Sequence, residues 1–130
     1  MKAALKAFGA VAVCAAVFGF GAAAAAYRGW LQPLATIQID NRSGQQLRLL
    51  EVKHESRGVS SIATLPALSA GQSFIFRFFV AGEGGYRIRA VLADGTVPKD
   101  SEGYVESGYN NTEVITPTAI VPSSFASGAN

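Results

Sequence analysis

Cysteine is all but missing from this 130-residue chain: Cys14 stands alone, inside an apolar run. An intrachain disulfide is therefore excluded, and whatever folds must be held by its own core. Cys14 does not resemble a lipid-attachment cysteine either, because Val11, Ala12 and Val13 precede it where small residues are required. Histidine is equally scarce. His54 is the only one, and on a strand it faces away from both Glu51 and Glu55, so no local metal site forms around it. No G-x-S-x-G occurs, which removes the nucleophile elbow of the serine hydrolases. After Trp30 no stretch keeps a helical period, and no segment repeats.

An excess of one charge is also lacking. The formal charge of +2 arises at the N-terminus, where Lys2, Lys6 and Arg28 flank the apolar run. From Leu31 onward eight Lys and Arg residues face nine Asp and Glu residues, so this part of the chain is near neutral. A nucleic-acid-binding domain needs a basic surface of its own, and none is indicated.

What is present divides the chain in three. Residues 1–30 read as a signal anchor. Lys2 and Lys6 form a basic start, and Ala7 to Ala26 is a run of twenty uncharged residues, about the length that spans ~30 Å of hydrocarbon. Tyr27, Arg28 and Trp30 have the composition of a membrane-interface belt. The small residues Ala22 to Ala26 also offer cleavage sites for a leader. The expectation is a retained single-pass helix in a bacterial inner membrane, with the N-terminus cytoplasmic and the rest periplasmic. Cleavage would instead release a periplasmic or secreted domain.

Residues 31–116 read as strands. ATIQIDN alternates, NRSG is turn chemistry, and the apolar phase of QLRLLEV switches near Leu49-Leu50, which predicts a bulge there or a strand buried on both faces. SSIATL, SFIFRFFV, YRIRAVLA, GYVESGY and NNTEVIT follow, separated by Gly-, Ser- and Asp-containing turns. Six to seven short strands imply a small antiparallel β-sandwich, immunoglobulin-like in strand count, behind one N-terminal apolar helix. Residues 117–130 are rich in Pro, Ser, Ala and Gly, and read as a flexible tail in which only Ala119 to Val121 packs.

Candidate chemistry is thin. Asp94, Asp100 and Glu102 supply oxygen ligands, but without EF-hand spacing and with Lys99 among them. Gly82, Gly84 and Gly85 surround Glu83, yet a phosphate cradle needs a helix after the glycines, and a strand follows. If AGEGG is a symmetric hairpin loop, Phe74, Phe76, Phe78 and Val80 form one apolar face with Tyr86, Ile88, Ala90 and Leu92. Arg77 then lies opposite Arg89, and Phe79 opposite Arg87. Arg77, Phe79, Arg87 and Arg89 form the candidate interaction face, unless Glu51 or Glu106 neutralises the arginines within the sheet. The expectation is a non-enzymatic envelope protein without cofactor or metal. It acts by protein–protein contact, as an accessory or stabilising subunit of a membrane complex. An immunity or inhibitor protein and a small-ligand or carbohydrate-binding module are the alternatives.

Overall fold

In the computed structural model, residues 2–28 and 33–126 are described, and side chains at 2–8 and at 10 are not among them. The chain divides into two units, Met1–Gln32 and Pro33–Asn130. The first holds α1 (Lys2–Tyr27), a single helix of 26 residues. Its alanines favour helix, and no proline interrupts it. The described side chains of Val11, Val13, Val17, Phe18 and Phe20 are exposed. Among the described residues no helix is long and apolar enough to cross a membrane. Trp30 of the expected interface belt lies outside the described residues, while Tyr27 and Arg28 end the helix and are exposed.

Eight strands build the second unit. They are β1 (Ala35–Asn41), β2 (Leu47–Ser56), β3 (Val59–Thr64), β4 (Ser73–Phe78), β5 (Glu83–Leu92), β6 (Ser101–Glu106), β7 (Asn110–Ile115) and β8 (Ile120–Pro122). Two four-stranded sheets result: sheet A in the order β4-β1-β7-β8, and sheet B in the order β3-β2-β5-β6. All pairings are antiparallel except β1 with β7. Period-two alternation sends Ile37 and Ile39 of β1, Leu50 and Val52 of β2, and Ile88, Ala90 and Leu92 of β5 into one core shared by both sheets. The His54 ring of sheet B lies 4.5 Å, centroid to centroid, from the Phe78 ring of sheet A. Burial pushes the His54 pKa below its ordinary value. The bulge expected in β2 is present, as a register shift between Leu47 and Leu49.

Within the expected tail Ile120 is buried, β8 pairs with β7, and a four-residue turn of helix, α2 (Ser123–Ala126), follows. The hairpin of SFIFRFFV with YRIRAVLA does not form. β4 pairs with β1 in sheet A, and β5 pairs with β2 in sheet B.

Asn41 supplies the reason. Fully buried at the end of β1, it donates from Nδ2 to the carbonyls of Gln45 (2.8 Å), Leu68 (3.1 Å) and Ser69 (3.1 Å). Its Oδ1 accepts from the Ser43 amide and hydroxyl. Its backbone exchanges hydrogen bonds with Gly71 and Gln72. The segment before β4 is thereby tied to the end of β1, and β4 continues along β1 rather than folding onto β5. The Gln45, Leu68 and Ser69 carbonyls each keep a second donor, Ser43 Oγ, Leu47 N and Gln72 N respectively, so what is lost is the Asn41 bonds themselves, about 0.5–1.5 kcal/mol each. Asn41→Ala should therefore lower stability by about 3 kcal/mol or more, read by thermal or urea melts; a loss within about 0.5 kcal/mol would reject the tie.

Candidate functional site

The outward face of sheet B is a lattice of charges. Directly opposed residues share a face, so Glu51 with Arg89, Lys53 with Arg87, and Glu55 with Gly85 lie in successive rows across β2 and β5. β6 extends two of these rows with Glu102 beside Arg87 and Tyr104 beside Gly85. Arg87 forms an ion pair with Glu102, and Arg89 lies 3.8 Å from Glu51. Of the four residues of the expected interaction face, Arg87 and Arg89 therefore stand together and are neutralised within the sheet. Arg77 sits on β4, opposite Thr36, in the other sheet, and Phe79 lies just beyond β4. The face drawn from the hairpin is thus split between the two sheets, because the pairing that would have united it does not occur.

A different feature occupies sheet B. Where β2, β5 and β6 run beside the β2–β3 turn, the face sinks into an open hollow of about 480 Å³. Three cations, Lys53, Arg57 and Arg87, and three carboxylates, Glu55, Glu83 and Glu102, stand around it, over Gly84, Gly85 and Gly103. The glycines are there for different reasons. A Cβ on Gly84 would collide with the Glu55 carbonyl oxygen, and one on Gly103 with the Tyr86 phenol ring, so the fold itself requires both. A Cβ on Gly85 would meet nothing closer than the Gly103 oxygen at 3.6 Å, an ordinary contact. The fold admits a side chain at 85, and its absence keeps the hollow open.

Arg57 is the second peculiarity. Ser56 pairs with Val59, so Arg57 and Gly58 are the two central residues of the turn, with φ of 49° and 75°. Such a turn suits Asn-Gly; an arginine in the left-handed region is strained. Its guanidinium passes over Gly82, 3.6 Å from where a Cβ would lie there. No carboxylate pairs with Arg57 or Lys53 among the described residues.

Beneath the hollow, on the inner side of sheet B, lies a buried polar network. Tyr86 donates its hydroxyl to Glu113 Oε1 (2.6 Å), and Ser101 donates to Oε2 (2.9 Å). Asn111 Nδ2 donates to Glu113 Oε1 (3.0 Å) and to the Tyr86 oxygen. Glu113 belongs to sheet A and is fully buried, whereas Tyr86 and Ser101 belong to sheet B. Burial first, and then the Glu113 carboxyl, push the Tyr86 phenol well above the ordinary tyrosine range.

Sequence reasoning noted Gly82, Glu83, Gly84 and Gly85 but placed them in a loop; Glu83 to Gly85 are the first residues of β5. A glycine pair within a strand signals close approach or an unfilled surface, and that signal was available. Glu113 gave none, since an acid in NNTEVI reads as solvent-facing. Among the described residues no group of three or more His, Cys, Asp or Glu is placed to hold a metal.

No family model matches the chain, and no curated protein matches it. Solved structures do resemble it. An NMR structure of a protein from Eubacterium rectale matches over 68% of this chain and 87% of that one, at 13% identity and a TM-score of 0.48. Listeriolysin O and a crystal structure described as a Gram-negative toxin each match 70% of this chain at 13% identity and a TM-score of 0.42. The chain spans 22% and 23% of their respective lengths.

A phenol whose folded pKa exceeds its unfolded value stabilises the fold below about pH 10, and that contribution is lost as pH rises. In an alkaline titration followed by phenolate absorbance, one phenol should ionise only as the protein unfolds, and Tyr86→Phe should abolish that step. The same substitution should cost about 1–3 kcal/mol at neutral pH. Identical titrations and melts for Tyr86→Phe and the parent would show that the network contributes nothing.

Proposed function

We propose that the chain is a non-enzymatic binding protein of the cell envelope, an accessory subunit of a membrane complex. Its sheet unit works outside the cytoplasm and meets a protein partner through the outer face of sheet B. Two features support the location: Lys2 and Lys6, and the apolar helix after them. Two of the arginines expected to dock directly, Arg87 and Arg89, are already matched by acids, so the recognition surface moves to the hollow beside them.

One observation carries this reading: the hollow is maintained against the interest of the fold. Glycine within a strand costs about 0.5–1 kcal/mol relative to alanine, yet Gly85 stands where a side chain fits. Arginine in the left-handed region costs about 1–3 kcal/mol, yet Arg57 stands there. Both departures from the more stable choice line one concavity, with unpaired Arg57 and Lys53 at its edge. Residues that lower stability are retained where they serve recognition.

A second reading is supported by the hollow's size. About 480 Å³ lies within the ~300–1,000 Å³ of small-molecule sites, and equal numbers of cations and carboxylates suit a polar ligand without net charge.

Gly85→Val fills the hollow and suits a strand, and Arg57→Asn relieves the turn. Each should leave the melting temperature equal or higher, by up to about 1 kcal/mol of stability. Each should also reduce recovery of the partner when the full chain is purified by affinity in mild detergent and its companions are identified by mass spectrometry. Undiminished recovery with both variants would refute the hollow as the recognition surface. Recovery of no protein by the parent, with backbone amide shifts at Gly84 and Gly85 on adding a polar small molecule, would favour the second reading.

A further inference from the structure

Two four-stranded sheets have four edge strands: β4 and β8 in sheet A, and β3 and β6 in sheet B. An edge offers unpaired N–H and C=O groups to any other strand, and folded chains guard it with charge, proline or brevity. Three of the four edges here are guarded. β4 carries Arg77 on its outward face, and β6 carries Glu102 and Glu106. β8 is three residues long and ends in Pro122. β3, the segment VSSIAT, has no charge, no proline and no glycine over six residues. Five of those six residues are exposed, and Val59 and Ile62 remain 71% and 64% accessible.

We infer that β3 is the site of self-association, adding antiparallel to β3 of a second copy so that the two B sheets become one. Lack of charge points to a second copy as the occupant. A two-fold axis sets each strand against itself, which would oppose Arg77 to Arg77 or Glu102 to a glutamate of its own kind near the axis, but brings no repulsion at β3. The pleat then limits the register. An axis normal to the sheet keeps outward residues outward, so only residues of the same parity can face one another. Ser60, Ile62 and Thr64 share the outward face, opposite Glu55, Lys53 and Glu51 of β2. Centring the axis on Ile62 sets Ile62 against Ile62 of the second copy, Ser60 against Thr64, and Ser61 against Ala63. That register covers the large apolar side chain of the outward face with its own twin and leaves no charge opposed. The hollow lies toward β5 and β6, so pairing at β3 leaves its glycine floor open to a partner.

The test is cross-linking of the full chain in mild detergent, in a Cys14→Ser background. Cα atoms directly opposed across antiparallel strands lie about 4.5–5.5 Å apart, within the reach of a disulfide. Under mild oxidation Ile62→Cys should give a covalent dimer of two identical chains. Ile75→Cys, exposed on the guarded edge β4, should remain mainly monomeric. Ile62→Lys, which opposes two ammonium groups, should weaken concentration-dependent dimerisation measured by light scattering about tenfold or more, with an unchanged melting temperature. The inference is overturned by a monomer at every concentration tested, by equal cross-linking at 62 and 75, by undiminished dimerisation of Ile62→Lys, or by a foreign polypeptide as the species trapped at position 62.

Discussion

A carboxyl group sealed between two sheets sets the terms for the rest of this fold. Glu113 is inaccessible to solvent and takes its hydrogen bonds from Tyr86 on β5, Ser101 on β6 and Asn111 on its own strand. A buried polar group without partners costs several kcal/mol, so these strands must deliver their donors together. The requirement is one of register. Slipping β5 by one residue would turn Tyr86 outward and Gly85 inward, leaving Glu113 without its shortest bond. Apolar packing alone tolerates such slips better, because Ile, Val and Leu substitute for one another in a core. The network selects one alignment of the two sheets, and the shared core then stabilises it.

The same alternation that sends Tyr86 inward makes Gly85 the next residue outward, which places the anchor and the hollow on opposite sides of one strand. Gly103, across from Tyr86, is needed so that the phenol ring can lie flat against β6, and Gly84 so that β5 can approach the Glu55 carbonyl. These two glycines tighten the sheet from within. The bare backbone on the outward side is that of Gly85, the one of the three glycines that faces outward.

How much of this was legible beforehand depends on the range of the interaction. Alternation is local, and it correctly assigned Ile37 and Ile39, Phe78 and Val80, and Tyr86, Ile88, Ala90 and Leu92 to buried faces. It also set His54 apart from Glu51 and Glu55, and Glu51 is the acid beside Arg89. Neighbour relations are not local. SFIFRFFV and YRIRAVLA are adjacent in sequence and five residues apart, which ordinarily means a hairpin. What overrides that preference is Asn41, some thirty residues upstream, whose side chain holds the Leu68 and Ser69 carbonyls and so assigns β4 to β1. Nothing in NRSG distinguishes that tie from an ordinary turn asparagine. The hollow was hidden for a related reason: its walls come from β2, β5 and β6, and it exists only once those strands are neighbours.

Rigidity links the interior network to the surface above it. A recognition surface built on mobile side chains loses free energy on binding, at about 0.5–1.5 kcal/mol for each side chain that must be ordered. The floor here is main chain, held in ladders on both sides of β5 and backed by a hydrogen-bonded phenol. Arg57, too, is restrained: its backbone is fixed by a two-residue turn, and Ser56 beside it is locked to both the amide and the carbonyl of Ala81. The loop from Phe79 to Gly82 therefore cannot move without breaking the Ser56 bonds, and its Gly82 gives the Arg57 guanidinium room to lie across it. Strain at Arg57 and the missing side chain at Gly85 are thus both flanked by hydrogen-bonded backbone. Features that lower stability are tolerated there because the network beneath them keeps the two sheets in register.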